Sequence, residues 1–181
     1  MSEYYAQPVS REDMRQLATV IRKVFGYLDV WWIPVERLLD QMMVKFHDFS
    51  YEIVSDDEWD DKSSHADTDI MNNTIRIRES IFIGACDGNG RDRMTIAHEI
   101  AHYILICVAG VNLYSCRNKK TVPSYCDPEW QAKCLAGELM IPAYKINNLE
   151  TTPCTSRIAD LCGVSYDAAF YQLKQLGGDA N

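Results

Sequence analysis

Between Met94 and Leu105 the chain reads Met-Thr-Ile-Ala-His-Glu-Ile-Ala-His-Tyr-Ile-Leu, a His-Glu-x-x-His motif inside an apolar run. The apolar residues recur at helical spacing, and on an α-helix residues four apart share one face, one turn up. His98 and His102 therefore offer two imidazoles to a single Zn²⁺. Glu99 stands one step round the helix, where its carboxylate can take a proton from an activated water. Nearly every other position in the stretch is apolar, so the helix is expected to be buried on most sides. A polar cluster in such a setting has to be paired or metal-bound, because unpaired burial is costly. That argument points to a ligand at His98 and His102 independently of the motif.

The rest of the composition frames this feature without competing with it. A chain of 181 residues with 47% hydrophobic and 24% charged residues fits one globular domain with a real core. A net charge of −8 argues against nucleic acid as the main partner, since phosphate binding needs a basic face. The seven cysteines are odd in number, contain no C-x-x-C pair and fall partly in apolar helical patterns, as at Cys107 and Cys134. Free thiols in a reducing cytoplasm suit that pattern better than a disulfide framework. The first residues, Met-Ser-Glu-Tyr-Tyr-Ala-Gln-Pro, have neither a basic n-region nor an apolar h-region, so no signal peptide is expected. The longest apolar run, Ile100 to Val111, is too short to span a bilayer, and a soluble cytoplasmic protein is expected.

Ser10 followed by Arg11-Glu12-Asp13 predicts a capped helix carrying Met14, Leu17, Ala18, Ile21, Val24 and Phe25, ended by Gly26. A second helix follows Pro34 with Val35, Leu38, Leu39, Met42 and Met43 on its apolar face. Phe49 to Val54 alternates as a strand, and residues 55 to 69 form an acidic, solvated loop in which His65 has no partner ligands. Thr74-Ile75-Arg76-Ile77-Arg78 alternates as a strand, and Asn72-Asn73 could join it to 67–71 as a hairpin. Gly84 to Gly90 reads as a flexible turn region, and the motif helix starts near Arg91-Asp92 with Asp92 as candidate cap. Residues 111 to 126, with Arg117, Lys119 and Lys120, read as a loop. Asp127-Pro128-Glu129 then opens a helix that Pro142 stops. Two short helices, Ser156 to Cys162 and Asp167 to Leu176, close the chain. Their spacing resembles a DNA-binding helix-turn-helix, but Lys174 is the second helix's one cation, which favours a packing role.

A catalytic zinc takes three protein ligands and keeps one position open. In His-Glu-x-x-His enzymes of the glutamate-ligand type the third comes from a later helix, which here offers Glu129 and Glu138. Cys126 and Cys134 are softer alternatives.

Two blocks carry a family resemblance. Arg91-Asp92-Arg93-Met94-Thr95-Ile96-Ala97-His98-Glu99-Ile100-Ala101-His102 resembles the R-x-R-F-T-x-A-H-E-x-G-H block of the ImmA/IrrE metallopeptidases of phages, mobile elements and bacterial stress regulators. Glu129 to Pro142 is similar to that family's E-x-E-A-N-x-F-A-x-E-L-L-M-P. The resemblance extends over roughly residues 30 to 175. It implies an α+β, zincin-like metallopeptidase domain, with a small mixed sheet packed on a buried motif helix and a helical C-terminal part. The whole of 1–181 would form one domain, with 155–178 as a helical pair packed on it.

Residue by residue, the resemblance implies Zn²⁺ held by His98, His102 and Glu129, with Glu99 as base and Glu138 as a non-ligand. It also implies the activity: site-specific cleavage of a helix-turn-helix repressor encoded nearby on a phage or mobile element. Lys133 departs from the family's Asn, and an ammonium cannot accept a hydrogen bond from a ligating imidazole. Ile106 stands where many members carry a further His. For the oxyanion, Tyr103, Tyr114 and Tyr125 are candidates. The strand containing Ile75, Arg76 and Ile77 is expected to present an open edge to an extended substrate. The competing function is a non-catalytic, zinc-dependent regulator or toxin–antitoxin partner. No direct nucleic-acid or membrane partner is expected.

Overall fold

The computed structural model describes residues 4–61, 63–115, 123–151 and 153–177. The basic part of the 111 to 126 loop, with Cys116, Arg117, Lys119 and Lys120, lies outside the described residues, as does Lys62.

Helix α1 (Arg11–Val24) begins at the predicted Ser10 cap. The Ser10 hydroxyl accepts from the Asp13 amide and the Asp13 carboxylate accepts from the Ser10 amide, a reciprocal capping box. Its buried residues Met14, Ala18 and Ile21 face the core. Helix α2 (Val35–Lys45) buries Val35, Leu38, Leu39 and Met42 at the same period. The structure adds a strand the sequence did not suggest, β1 (Tyr4–Ala6), before α1.

Three strands form the main sheet: β2 (Ser50–Val54), β3 (Ala66–Asp69) and β4 (Thr74–Arg78). The order is β2-β4-β3, with β2 parallel and β3 antiparallel to β4. The suggested hairpin is present, and Asn73 takes the left-handed backbone its turn requires, at φ 52°. The expected loop over 55 to 69 is therefore a strand in its last four residues. Ile75 and Ile77 are fully buried between half-buried Thr74, Arg76 and Arg78, and β3 and β4 lie against the motif helix.

Part of the predicted glycine-rich turn is helical. Helix α3 (Glu79–Cys86) includes Gly84, where a Cβ would run into the Asp92 carboxylate, so that glycine permits close packing. The motif helix α4 spans Gly90–Tyr103 and is capped by Asn89, not by Asp92, which lies inside it. The Asn89 side chain accepts from the amides of Arg91 and Asp92 at 3.0 and 3.3 Å. Five residues, Ile104–Val108, continue as a π-helical segment, and Gly110 turns the chain at φ 70°. Strand β5 (Leu113–Ser115) pairs antiparallel with β1, placing Tyr5 opposite Tyr114.

Helix α5 (Pro128–Met140) starts as predicted, with Asp127 as cap and Pro128 in its first turn, and packs against both α1 and α4. The short α6 (Ala143–Asn147) follows, then α7 (Thr155–Cys162) and α8 (Tyr166–Gln175). Ile158, Cys162, Ala169 and Leu173 of this last pair join the same buried cluster as Ile96, Ile100, Leu135 and Leu139. The architecture is α+β, a small mixed sheet on a largely buried motif helix.

Candidate metal centre

Helix α4 is fixed by its apolar face: Ile96, Ala97, Ile100 and Ala101 are completely buried. That leaves His98 and His102 on the side facing a cleft. Their rings meet nearly edge to face, 4.6 Å apart at an interplanar angle of 87°, and the two Nε2 atoms are 3.1 Å from each other.

Glu129 reaches the same point from the first turn of α5, where the Asp127 carboxylate accepts from its amide at 3.1 Å. One carboxylate oxygen lies 3.3 Å from His98 Nε2 and the other 3.4 Å from His102 Nε2. Hydrogen bonding to His102 and then His98 holds the Glu129 carboxyl well below the ordinary glutamate range, despite some desolvation. Two imidazole nitrogens and an ionised carboxylate are zinc's common ligands. Their mutual spacing suits a tetrahedral ion with bonds of about 2.0–2.1 Å, whose ligand atoms sit roughly 3.3 Å apart. The donor set therefore fits the metal. Among the described residues, these three form the His, Cys, Asp and Glu group whose ligand atoms cluster, all within 4.8 Å.

The competing ligands lie elsewhere. Glu138 has a fully buried carboxylate engaged by Arg15 at 3.2 and 3.3 Å and by Arg11 at 3.6 Å, tying α5 to α1. Cys134 is buried and its thiol is pushed up to about 11 by desolvation, poor conditions for a thiolate ligand. Neither Cys126 nor His65 belongs to the cluster.

Glu99 is buried, and its position depends on a residue that sequence reading missed. The Thr68 hydroxyl, from β3, donates to Glu99 Oε2 at 2.7 Å and lies 3.2 Å from the Glu99 backbone carbonyl. No motif marks Thr68, since the contact exists only after β3 is laid against α4. Thr68, Asp67 and Ala66 line one wall of a cleft of about 410 Å³, with His98, Glu99, His102 and Glu129 along its floor. Tyr4 and Leu113 from β1 and β5, and Ile106 from the π-helical segment, complete it.

Two expectations need correcting. Strand β4 is paired on both sides, so Ile75, Arg76 and Ile77 offer no open edge; among the described residues, the strand beside the cleft with an unpaired side is β3. Tyr103 is buried against Phe46 and Phe49, one step past His102 and away from the cleft, so it cannot serve the oxyanion. Tyr114 stacks on Tyr5 at 5.1 Å, and Tyr125 is exposed; neither lines the cleft, whereas Tyr4 does. Lys133 is exposed, and no hydrogen bond or ion pair joins it to either histidine among the described residues. It faces a neighbouring pocket instead.

Residues 36–174 match a peptidase family model described as the IrrE N-terminal-like domain. No curated protein matches the chain significantly.

Proposed function

The chain belongs to the IrrE N-terminal-like peptidase family, and from that premise we propose that it is a zinc endopeptidase cutting a helix-turn-helix repressor encoded nearby on a phage or mobile element. The observation that carries the zinc and the chemistry is the convergence of His98, His102 and Glu129 beside a buried Glu99. The substrate follows from the resemblance of the two motif blocks.

Held by His98, His102 and Glu129, zinc would supply Lewis acidity, which lowers the pKa of a water towards about 7. Glu99 accepts the water proton and later returns it to the leaving amine. Thr68 occupies one Glu99 oxygen, which orients the carboxylate and leaves the other oxygen for the proton. The substrate lies extended along β3, pairing main chain to main chain on that strand's free side. Tyr4 lines the cleft, which supports it as the tyrosine for the oxyanion in this reading.

Glu99→Gln tests this reading, because it removes the base and leaves the three ligands. Incubated with the repressor encoded next to the gene, the zinc-loaded wild-type chain should give one pair of fragments by mass spectrometry. The variant should keep its zinc and slow cleavage by about 10²-fold or more. Equal cleavage by both proteins would discard Glu99 as the base. Zinc retention with no cleavage by the wild type would favour the non-catalytic regulator.

A further inference from the structure

Next to the cleft, towards the N-terminal end of α4, a second pocket of about 580 Å³ opens between α4, α5 and α8. It shares His98 with the cleft and no other lining residue. Its walls are apolar, with Met94 from α4, Trp130 from α5, and Ala168 and Tyr171 from α8. Tyr171 is half-exposed at 50%, an aromatic surface that the fold itself does not cover.

The charges around it run against the rest of the molecule. Arg91 and Lys133 stand at the pocket exposed, and neither has an ion-pair partner among the described residues. A third cation, Arg11, has its guanidinium 5.7 Å from the centre of the Trp130 ring. Asp167 is the one acid there. Arg11 is paired with Glu138, so Arg91 and Lys133 are the two unpaired cations against the one acid, and in a chain of net charge −8 they make a local positive site with an apolar floor.

We propose that this pocket docks the protein substrate, taking an apolar side chain from a segment whose neighbouring residues are acidic. The inference rests on the peptidase reading given above. A volume near 580 Å³ lies within the range of ligand sites of roughly 300–1,000 Å³ and holds more than one side chain. Apolar walls supply the burial, while the unpaired cations supply the charge complementarity that selects and steers an acidic partner. Because His98 forms a wall of both spaces, a segment held here lies beside the peptide in the cleft. Docking then raises the local concentration of the scissile bond. Lys133, the departure from the family's Asn, acts in this account as a contact for substrate carboxylates.

The test uses the full chain, zinc-loaded and carrying Glu99→Gln so that nothing is cut. Fluorescence anisotropy is measured with two fluorescein-labelled peptides, Glu-Asp-Phe-Leu-Asp-Glu and Lys-Arg-Phe-Leu-Arg-Lys. The acidic peptide should bind at least about tenfold more tightly than the basic one. The double change Arg91→Glu and Lys133→Glu should weaken the acidic peptide roughly tenfold. Ala168→Trp, which fills the pocket without altering charge, should weaken it similarly. Equal affinity for both peptides, no binding of either, or acidic-peptide binding untouched by these changes overturns the proposal. The last outcome would place the peptide in the cleft instead. Failure of the peptidase reading shows separately, as an uncut repressor with the acidic peptide still docking as described.

Discussion

The carboxylate of Glu99 is not left to swing. It is buried, and the Thr68 hydroxyl grips one of its oxygens at 2.7 Å from a strand that also walls the cleft. A base held this way gains in orientation, and the strand proposed to bind substrate touches it directly. Thr68→Val keeps the shape and removes the donor. It should lower kcat about tenfold with KM and zinc content nearly unchanged, and Thr68→Ser should restore most of the rate. Steady-state kinetics on the repressor checks this; a valine variant with wild-type kcat would remove Thr68 from the account. None of this was legible in the chain, because Thr68 and Glu99 are neighbours only through tertiary packing. His98, Glu99 and His102 were legible because one helical turn places them, which is local geometry. Glu129 sits between these cases. Capping chemistry marked its helix, but the residues alone left it beside Glu138, with Cys126 and Cys134 as softer alternatives. The structure separates them by giving Glu138 to Arg15 and Arg11 and burying Cys134.

At the level of elements, glycines misled and caps mostly did not. Ser10 and Asp127 cap α1 and α5 as their sequences indicate. The run from Gly84 to Gly90 read as flexible, yet it ends one helix and begins the next. A Cβ on Gly84 would strike Asp92, and one on Gly90 would overlap the backbone of Val164 and Ser165. These glycines mark close approach, of α3 to α4 and of α4 to the turn before α8. Gly90→Ala should therefore destabilise the fold by about 1–3 kcal/mol, although alanine is the better helix former. Urea unfolding gives the answer: a midpoint at or above that of the wild type would mean the turn yields freely. The pairing of β1 with β5 was invisible for a different reason. Each strand is three residues long, and their partners lie far apart in sequence, so no local alternation announces them. The same limit explains the misplaced edge. Alternation at Thr74 to Arg78 shows that a strand exists, but not that it has neighbours on both sides.

Across the whole molecule, the described residues gather one buried cluster that runs from α1 through the sheet and α4 to α8. Its effect is to hold α4 and α5 together, so that two histidines from one helix meet a glutamate at the start of another. The motif helix could be read in advance from periodicity and a spaced motif, and the α+β class from the family resemblance of the two blocks. The cleft could not, because its walls come from β1, β3 and β5 and from a π-helical turn that no sequence rule places. Among the described residues no helix is long and apolar enough to cross a membrane. Everything proposed about catalysis depends on the metal centre, so the decisive measurement is zinc content by elemental mass spectrometry on the wild type, Glu129→Ala and Glu99→Gln. About one zinc per chain is expected in the wild type and in Glu99→Gln, and close to none in Glu129→Ala. A wild type without zinc, or a Glu129→Ala chain that keeps its full complement, would contradict that expectation.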